Sequence, residues 1–123
     1  MSTRMLKQPI PTVTAGHVER IVRRDFAQEQ FAAVMEILSE YGTQNWHREC
    51  PRVQLAVLKL AGGNLKDLRR YIEAAKSDYR DVFAWAEFPA YFRQGTFASE
   101  AERQSVIESD WHQYERWLSR NPG

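Results

Sequence analysis

The sequence predicts an all-α fold, in which about five helices of a single domain pack around a long central helix at about 64–88. Apolar residues recur along the chain at spacings of three and four, which is the spacing of one helix face. No stretch alternates apolar and polar residues as a half-buried strand would. Capping residues precede the helical stretches, and glycine or proline follows several of them.

The composition is that of an ordinary globular domain, with 43% apolar and 27% charged residues in a chain of 123. The net charge of +1 argues against a protein that binds nucleic acid or membrane surfaces mainly by electrostatics. Cys50 is the one cysteine, so no intramolecular disulfide is expected. No apolar run reaches the length of a membrane span, and no signal-peptide pattern is present at the N-terminus. We therefore expect a cytoplasmic protein.

The first residues are predicted to form an arm outside the helical domain. Pro9 and Pro11 disfavour helix in themselves and in the residues before them. We expect residues 1–13 to be extended or disordered, or to lie as a strap over the domain, which spans 14–120.

Three short helices are predicted before the central one. Thr14 is the expected N-cap of the first, at about 15–24, and Asp25 is the expected N-cap of the second. Pro51 is well placed at the start of the third, at about 51–61. This third helix is apolar on nearly all sides, which predicts that it is buried.

The central helix is predicted to begin after Asn64 and to end before Pro89. Its opposite side is polar and includes Glu87, which we expect to face solvent. Its apolar stripe follows a heptad pattern: Leu65, Leu68, Ile72, Ala75, Tyr79, Val82 and Ala86.

The C-terminal part is predicted to be an aromatic loop followed by one helix. The loop covers residues 89–98, and Ser99 with Glu102 forms the capping-box pattern that opens a helix at about 100–119. The predicted inner face of this helix is Ile107, Trp111, Tyr114 and Leu118, and its predicted solvated side is Ser109, Asp110, Gln113 and Glu115.

Asp78 is chemically unusual because it lies between Tyr71 and Trp85 within the apolar arc of the predicted central helix. A buried carboxylate needs a partner, and three interpretations are open. Asp78 pairs with an arginine such as Arg48 or Arg52, or the helix breaks immediately before Asp78, or Asp78 is an acid with a raised pKa in a pocket. The candidate pocket residues are Tyr71, Asp78, Trp85 and His47.

No catalytic or metal-binding constellation is evident. His47 and Cys50 have a metal-like spacing, but a zinc site needs further ligands that the sequence does not place nearby. The same pair could form a Cys–His nucleophile, but no oxyanion-stabilising feature accompanies it. We predict no metal, no cofactor and no catalytic residue, and we favour a non-enzymatic protein over an enzyme.

The chain is rich in aromatic residues, with four Trp, five Tyr and six Phe. One C-terminal helix cannot bury all the aromatic residues around it, so some of them are expected to form a surface for a protein partner or for self-association. The predicted interaction surface consists of Tyr91, Phe92, Trp111, Tyr114 and Trp117.

Two segments resemble a group of small uncharacterised bacterial proteins that are all-helical. The segments are RVQLAVLKLAGGNL at 52–65 and DYRDVFAWAEFP at 78–89, and the resemblance covers about residues 18–90. It implies a soluble, helical bacterial protein, and it implies no activity, cofactor or residue role.

The leading functional hypothesis is a small non-enzymatic protein-interaction module, of an accessory or immunity type by analogy and able to form a homodimer. One alternative is a small enzyme or ligand-binding domain with a pocket around Asp78. The other is a weak nucleic-acid binder that would use two arginine clusters: Arg20, Arg23, Arg24, Arg69 and Arg70.

Overall fold

The computed structural model describes residues 10–43 and 49–121, and it confirms the all-α prediction for them. Most of the predicted arm lies outside these residues, as do His47 and Arg48. The described chain forms seven α-helices and one short 3-10 helix, Gln28–Gln30, rather than about five helices. The α-helices are α1 Ala15–Asp25, α2 Phe31–Ser39, α3 Cys50–Ala61, α4 Leu65–Ser77, α5 Tyr79–Ala86, α6 Pro89–Gln94 and α7 Glu100–Ser119.

The local capping patterns determine several helix starts. Asn64 accepts a hydrogen bond from the Asp67 N–H at 2.9 Å, and Ser99 accepts one from the Glu102 N–H at 3.1 Å. Thr14 precedes α1 as predicted. The prediction for Asp25 is wrong, because Asp25 is the last residue of α1 and its carboxylate binds the neighbouring Arg24.

The prediction of one helix over 64–88 is wrong, because the chain leaves the helix at Asp78. Asp78 has extended backbone angles, φ −157° and ψ 103°, and its side chain caps α5 by accepting the Arg80 N–H at 3.0 Å. The break separates α4 from α5. The heptad stripe continues through it because both helices turn their apolar faces towards α3.

The central element of the fold is therefore α3. It packs against α1, α4 and α5, and six of its twelve residues are buried. The main core consists of buried apolar residues from α1 to α5 and the turns between them. At the described end of the predicted arm, Pro11 is buried and Val13 packs against this core.

The C-terminal part differs from the predicted loop because Pro89–Gln94 is the helix α6. The buried carboxylate of Asp110 on α7 accepts the backbone N–H groups of Ala90 at 3.3 Å and Tyr91 at 2.9 Å, and so caps α6 from another helix. The prediction that Asp110 faces solvent is therefore wrong, since this residue is 3% exposed. None of the described helices is both long and apolar enough to cross a membrane.

Candidate functional site

A shallow cleft lies between α4 and α5. It has a volume of about 310 Å³ and is lined by Arg70, Tyr71 and Ala74 of α4 and by Trp85 of α5. Two of the four predicted pocket residues, Tyr71 and Trp85, are thus brought together. The cleft exists because the break at Asp78 lets α5 pack against α4, which places side chains from both helices on one surface.

The aromatic rings of this cleft are packed against each other but remain accessible. The ring centroids of Tyr71 and Trp85 are 6.1 Å apart, with the planes at 65°, which is an edge-to-face arrangement. Trp85 nevertheless keeps 46% of its surface exposed, so it is one of the few large apolar side chains of the described residues that face solvent. A large aromatic side chain in this position has apolar surface available for a partner.

Arg70 forms the polar rim of the cleft. Its guanidinium carbon lies 4.7 Å from the centroid of the Tyr71 ring, and its Nη2 donates a hydrogen bond to Tyr71 Oη at 3.0 Å. Its nearest ion-pair partner, Asp67, is 3.9 Å away, and the Arg70 side chain is 67% exposed. The guanidinium therefore retains N–H groups that can bind a carboxylate from another molecule.

Asp78 is not among the residues that line the cleft. Its two carboxylate oxygens each accept a hydrogen bond of 3.0 Å from the Arg80 guanidinium, and with the backbone bond these contacts lower the pKa of Asp78. The hypothesis of a raised pKa is therefore wrong, as is the pairing with Arg52. The structure agrees with the second interpretation: α4 ends immediately before Asp78, and Asp78 caps α5. His47 lies outside the described residues.

The five residues of the predicted aromatic surface do not share one exposed face. Tyr114 is 1% exposed, and its ring lies between those of Trp111 and Trp117, with centroids 6.5 and 5.6 Å away. Phe92 is 56% exposed and contacts Tyr91. The assignment of Tyr114 to an exposed surface is wrong, because this side chain is buried on the inner side of α7.

The arginine clusters are largely engaged within the fold. Arg20 and Arg24 on α1 donate hydrogen bonds to the backbone carbonyls of Leu118 and Trp117 at the end of α7. Arg23 lies over the Phe31 ring and pairs with Glu19, and Arg70 lies at the cleft. Arg69 is exposed. These contacts leave fewer arginines free for phosphate groups than the sequence suggests.

A buried ion pair was missed by sequence analysis. Glu87, predicted to face solvent, is 1% exposed, and its oxygens accept bonds from Arg52 Nε at 2.9 Å and Nη2 at 2.7 Å. Burial raises the pKa of Glu87, and the contact with Arg52 opposes this rise. Arg52 also lies 3.8 Å from the centroid of the Phe83 ring. Glu87 is shielded from solvent, the Arg52 side chain is 13% exposed, and the pair joins α3 to the end of α5.

The described residues contain no group of three or more His, Cys, Asp or Glu side chains that could hold a metal ion. Cys50 is half-buried, and the His47 that could complete a pair with it lies outside the described ranges. The cleft between α4 and α5 is thus the arrangement that best fits a binding role.

Comparison of this chain with models of protein families, with curated proteins and with solved structures finds no match. The similarity to small helical bacterial proteins therefore stays a prediction.

Proposed function

We propose that this protein is a protein-interaction module and that its binding surface is the cleft formed by Arg70, Tyr71, Ala74 and Trp85. The observation that carries the proposal is the edge-to-face pair of the partly buried Tyr71 and the exposed Trp85, with Arg70 beside it. Trp, Tyr and Arg are the residue types that most often dominate the binding energy of protein interfaces. Here all three occur in one cleft.

The chemistry of the cleft indicates what it would bind. The two rings and the Ala74 methyl group form apolar walls, so the partner should place an apolar side chain between them. Arg70 at the rim would pair with a carboxylate next to that side chain, since Arg binds carboxylates with directed N–H groups. The proposed partner is a protein segment that carries an apolar residue beside an acidic one.

A protein partner fits the surface better than nucleic acid. The net charge is +1, and acidic residues are interspersed with basic ones on α4, where Glu73 pairs with Lys76 at 2.8 Å. A nucleic-acid surface needs several unopposed cations to replace the counterions of the phosphates. The volume of about 310 Å³ and the open shape suit a single side chain of a partner.

The proposal can be tested by selecting binders from a library of random displayed peptides against the full chain. Selected peptides should bind at least about 30-fold more weakly to Trp85→Ala, because a dominant interface residue contributes about 2 kcal/mol or more. Phe92→Ala is the matched control, since it removes an aromatic residue that is at least as exposed as Trp85 but lies elsewhere. Binding that Trp85→Ala and Tyr71→Ala leave unchanged would contradict the proposed surface.

The partner chemistry is tested separately by two charge reversals. Arg70→Glu should weaken the binding of peptides that contain an acidic residue, whereas Arg69→Glu, one residue away and outside the cleft, should have little effect. Light scattering over a range of concentrations tests self-association. A dimer that Trp85→Ala dissociates would identify a second copy of this chain as the partner.

A further inference from the structure

We propose that α6 and α7 form an arm that opens from α1–α5 as one unit, at a lower free energy than global unfolding. The arm would hinge at Phe88, the residue immediately before α6, while Glu87 stays in its ion pair with Arg52 on the body. The inference does not depend on the proposed cleft, since it rests on how α7 is attached to the rest of the described chain.

The apolar contacts of the arm are largely separate from the main core. The main core contains buried residues of α1 to α5, whereas Phe88, Ile107 and Tyr114 are buried outside that cluster. From α7, the main core is reached by Trp117 and Leu118, and both are only partly buried. A helix of twenty residues that buries few apolar side chains gains little from docking, and such elements open first.

The contacts between arm and body are mainly polar. Gln113 Nε2 donates to the carbonyls of Ala86 at 3.3 Å and Glu87 at 3.4 Å, which are long hydrogen bonds. At the other end of α7, Arg24 donates to the Trp117 carbonyl at 2.6 Å. The long, neutral Gln113 bonds add little net stability, since water replaces them when the arm opens, whereas the charged Arg24 bond is stronger and holds the C-terminal end of α7.

Docking of the arm also leaves the Tyr114 hydroxyl unsatisfied. The Tyr114 hydroxyl is buried with no hydrogen-bond partner among the described residues, and the same holds for Gln104 Oε1. A buried polar group without a partner has lost its hydrogen bonds to water, and it regains them when the arm opens. The Tyr114 hydroxyl, which lies near Glu87 and Arg52 of the body, therefore favours the open arm over the closed one.

Contacts within the arm are better formed, so α6 and α7 should move together. Asp110 of α7 caps α6 through two backbone N–H groups, and Arg103 Nη2 donates to Tyr91 Oη at 3.1 Å. The Arg103 guanidinium also lies over the Tyr91 ring, 5.3 Å from its centroid. Opening would expose the Tyr114 side chain, which is 1% exposed in the closed protein.

Native-state hydrogen exchange of the full chain in low denaturant tests this proposal. In the wild-type protein the amides of α6 and α7 should share one opening free energy, below that of α3. Gln113→Ala should speed their exchange about fivefold, the effect of one lost hydrogen bond, and should speed that of α3 by about the same factor, because the bond is also lost on global unfolding. Gly63→Ala, which strains the turn between α3 and α4 in the body, should speed the exchange of α3 and leave that of α6 and α7 nearly unchanged. Tyr114→Phe should slow the exchange of α6 and α7, because it removes the unsatisfied hydroxyl.

Two results would overturn the proposal. The first is a wild-type exchange profile in which α7 and α3 open with the same free energy, and this can be read even if a variant does not fold. The second is a Gly63→Ala variant in which exchange speeds up in α6 and α7 as much as in α3, since that would show a single cooperative unit.

Discussion

The buried pair of Arg52 and Glu87 gives the sharpest stability prediction. Arg52→Met removes the cation and leaves the carboxylate of Glu87, 1% exposed, without a partner. Breaking a buried pair in this way costs about 3–5 kcal/mol. The bond from Arg52 to the exposed Glu49, at 3.2 Å, adds little because it is solvated. We expect the free energy of unfolding to fall by about 3–5 kcal/mol.

The double variant separates the ion pair from its surroundings. Arg52→Met with Glu87→Met replaces both charges by apolar side chains, a change that is often neutral in a buried site. We expect the double variant to lie within about 1 kcal/mol of the wild type, apart from the lost contact of Arg52 with the Phe83 ring. Urea denaturation measures both variants. A single variant that costs less than about 1 kcal/mol, or a double variant as unstable as the single one, would refute this reasoning.

The loss of stability in Arg52→Met should also depend on pH. Burial raises the pKa of Glu87 in the folded protein, so the folded state holds this proton more tightly than the unfolded chain does. The contribution of Glu87 to stability is therefore largest below its unfolded pKa and decreases as the pH rises through its folded pKa. Arg52 opposes the rise in pKa. The deficit of Arg52→Met relative to the wild type should thus be larger at neutral pH than in mild acid, and a deficit independent of pH would contradict this.

Two further predictions concern the packing of the helices, and both are measured by urea denaturation. Gly63 has a φ of +83°, and a Cβ there would lie 2.8 Å from the Asp25 carbonyl oxygen, so Gly63→Ala should destabilise by about 2 kcal/mol or more. Gly62→Ala, with φ +57° and open space around it, should cost only about 1 kcal/mol, and equal costs would show that the close approach is unimportant. Asp110→Ala removes the cap of α6 and should cost about 1–3 kcal/mol, whereas Glu108→Ala on the exposed side of α7 should stay within about 0.5 kcal/mol. An effect of Asp110→Ala no larger than that of Glu108→Ala would contradict the capping role.

The sequence predicts what depends on neighbours along the chain. Asn64 and Ser99 were identifiable as caps because their partners lie three residues further on. The break at Asp78 was missed because the apolar heptad continues across it, and periodicity reports which residues are buried rather than whether the backbone is continuous.

The buried carboxylates could not be predicted, because their partners are distant in sequence. Glu87 pairs with Arg52, 35 residues earlier, and Asp110 binds backbone N–H groups of α6, about 20 residues earlier. A helical wheel assigns any charged residue to solvent unless the partner is known, so both were placed on the outside. The hydrogen bonds of Arg20 and Arg24 on α1 to the end of α7 are not predictable for the same reason.

The sequence predicts part of the candidate site, namely Tyr71 and Trp85. The geometry it assumes for them is not the one in the structure. The sequence predicts that Tyr71 and Trp85 lie together because they would be on the same face of one continuous helix. In such a helix they would be about 21 Å apart, whereas their ring centroids are 6.1 Å apart. The contact depends on the break at Asp78, which brings two short helices together. Asp78 therefore contributes to the cleft through the backbone and not as an acid within it.

The most direct test of the proposed binding surface is an NMR titration of the full chain with a selected peptide, followed in amide and indole N–H spectra. We expect the largest shifts at the Trp85 indole and at the amides of Arg70, Tyr71 and Ala74, with little change at Phe92. Shifts centred on Tyr91 and Phe92, or on α7, with the Trp85 indole unchanged, would show that the protein binds its partner through another surface.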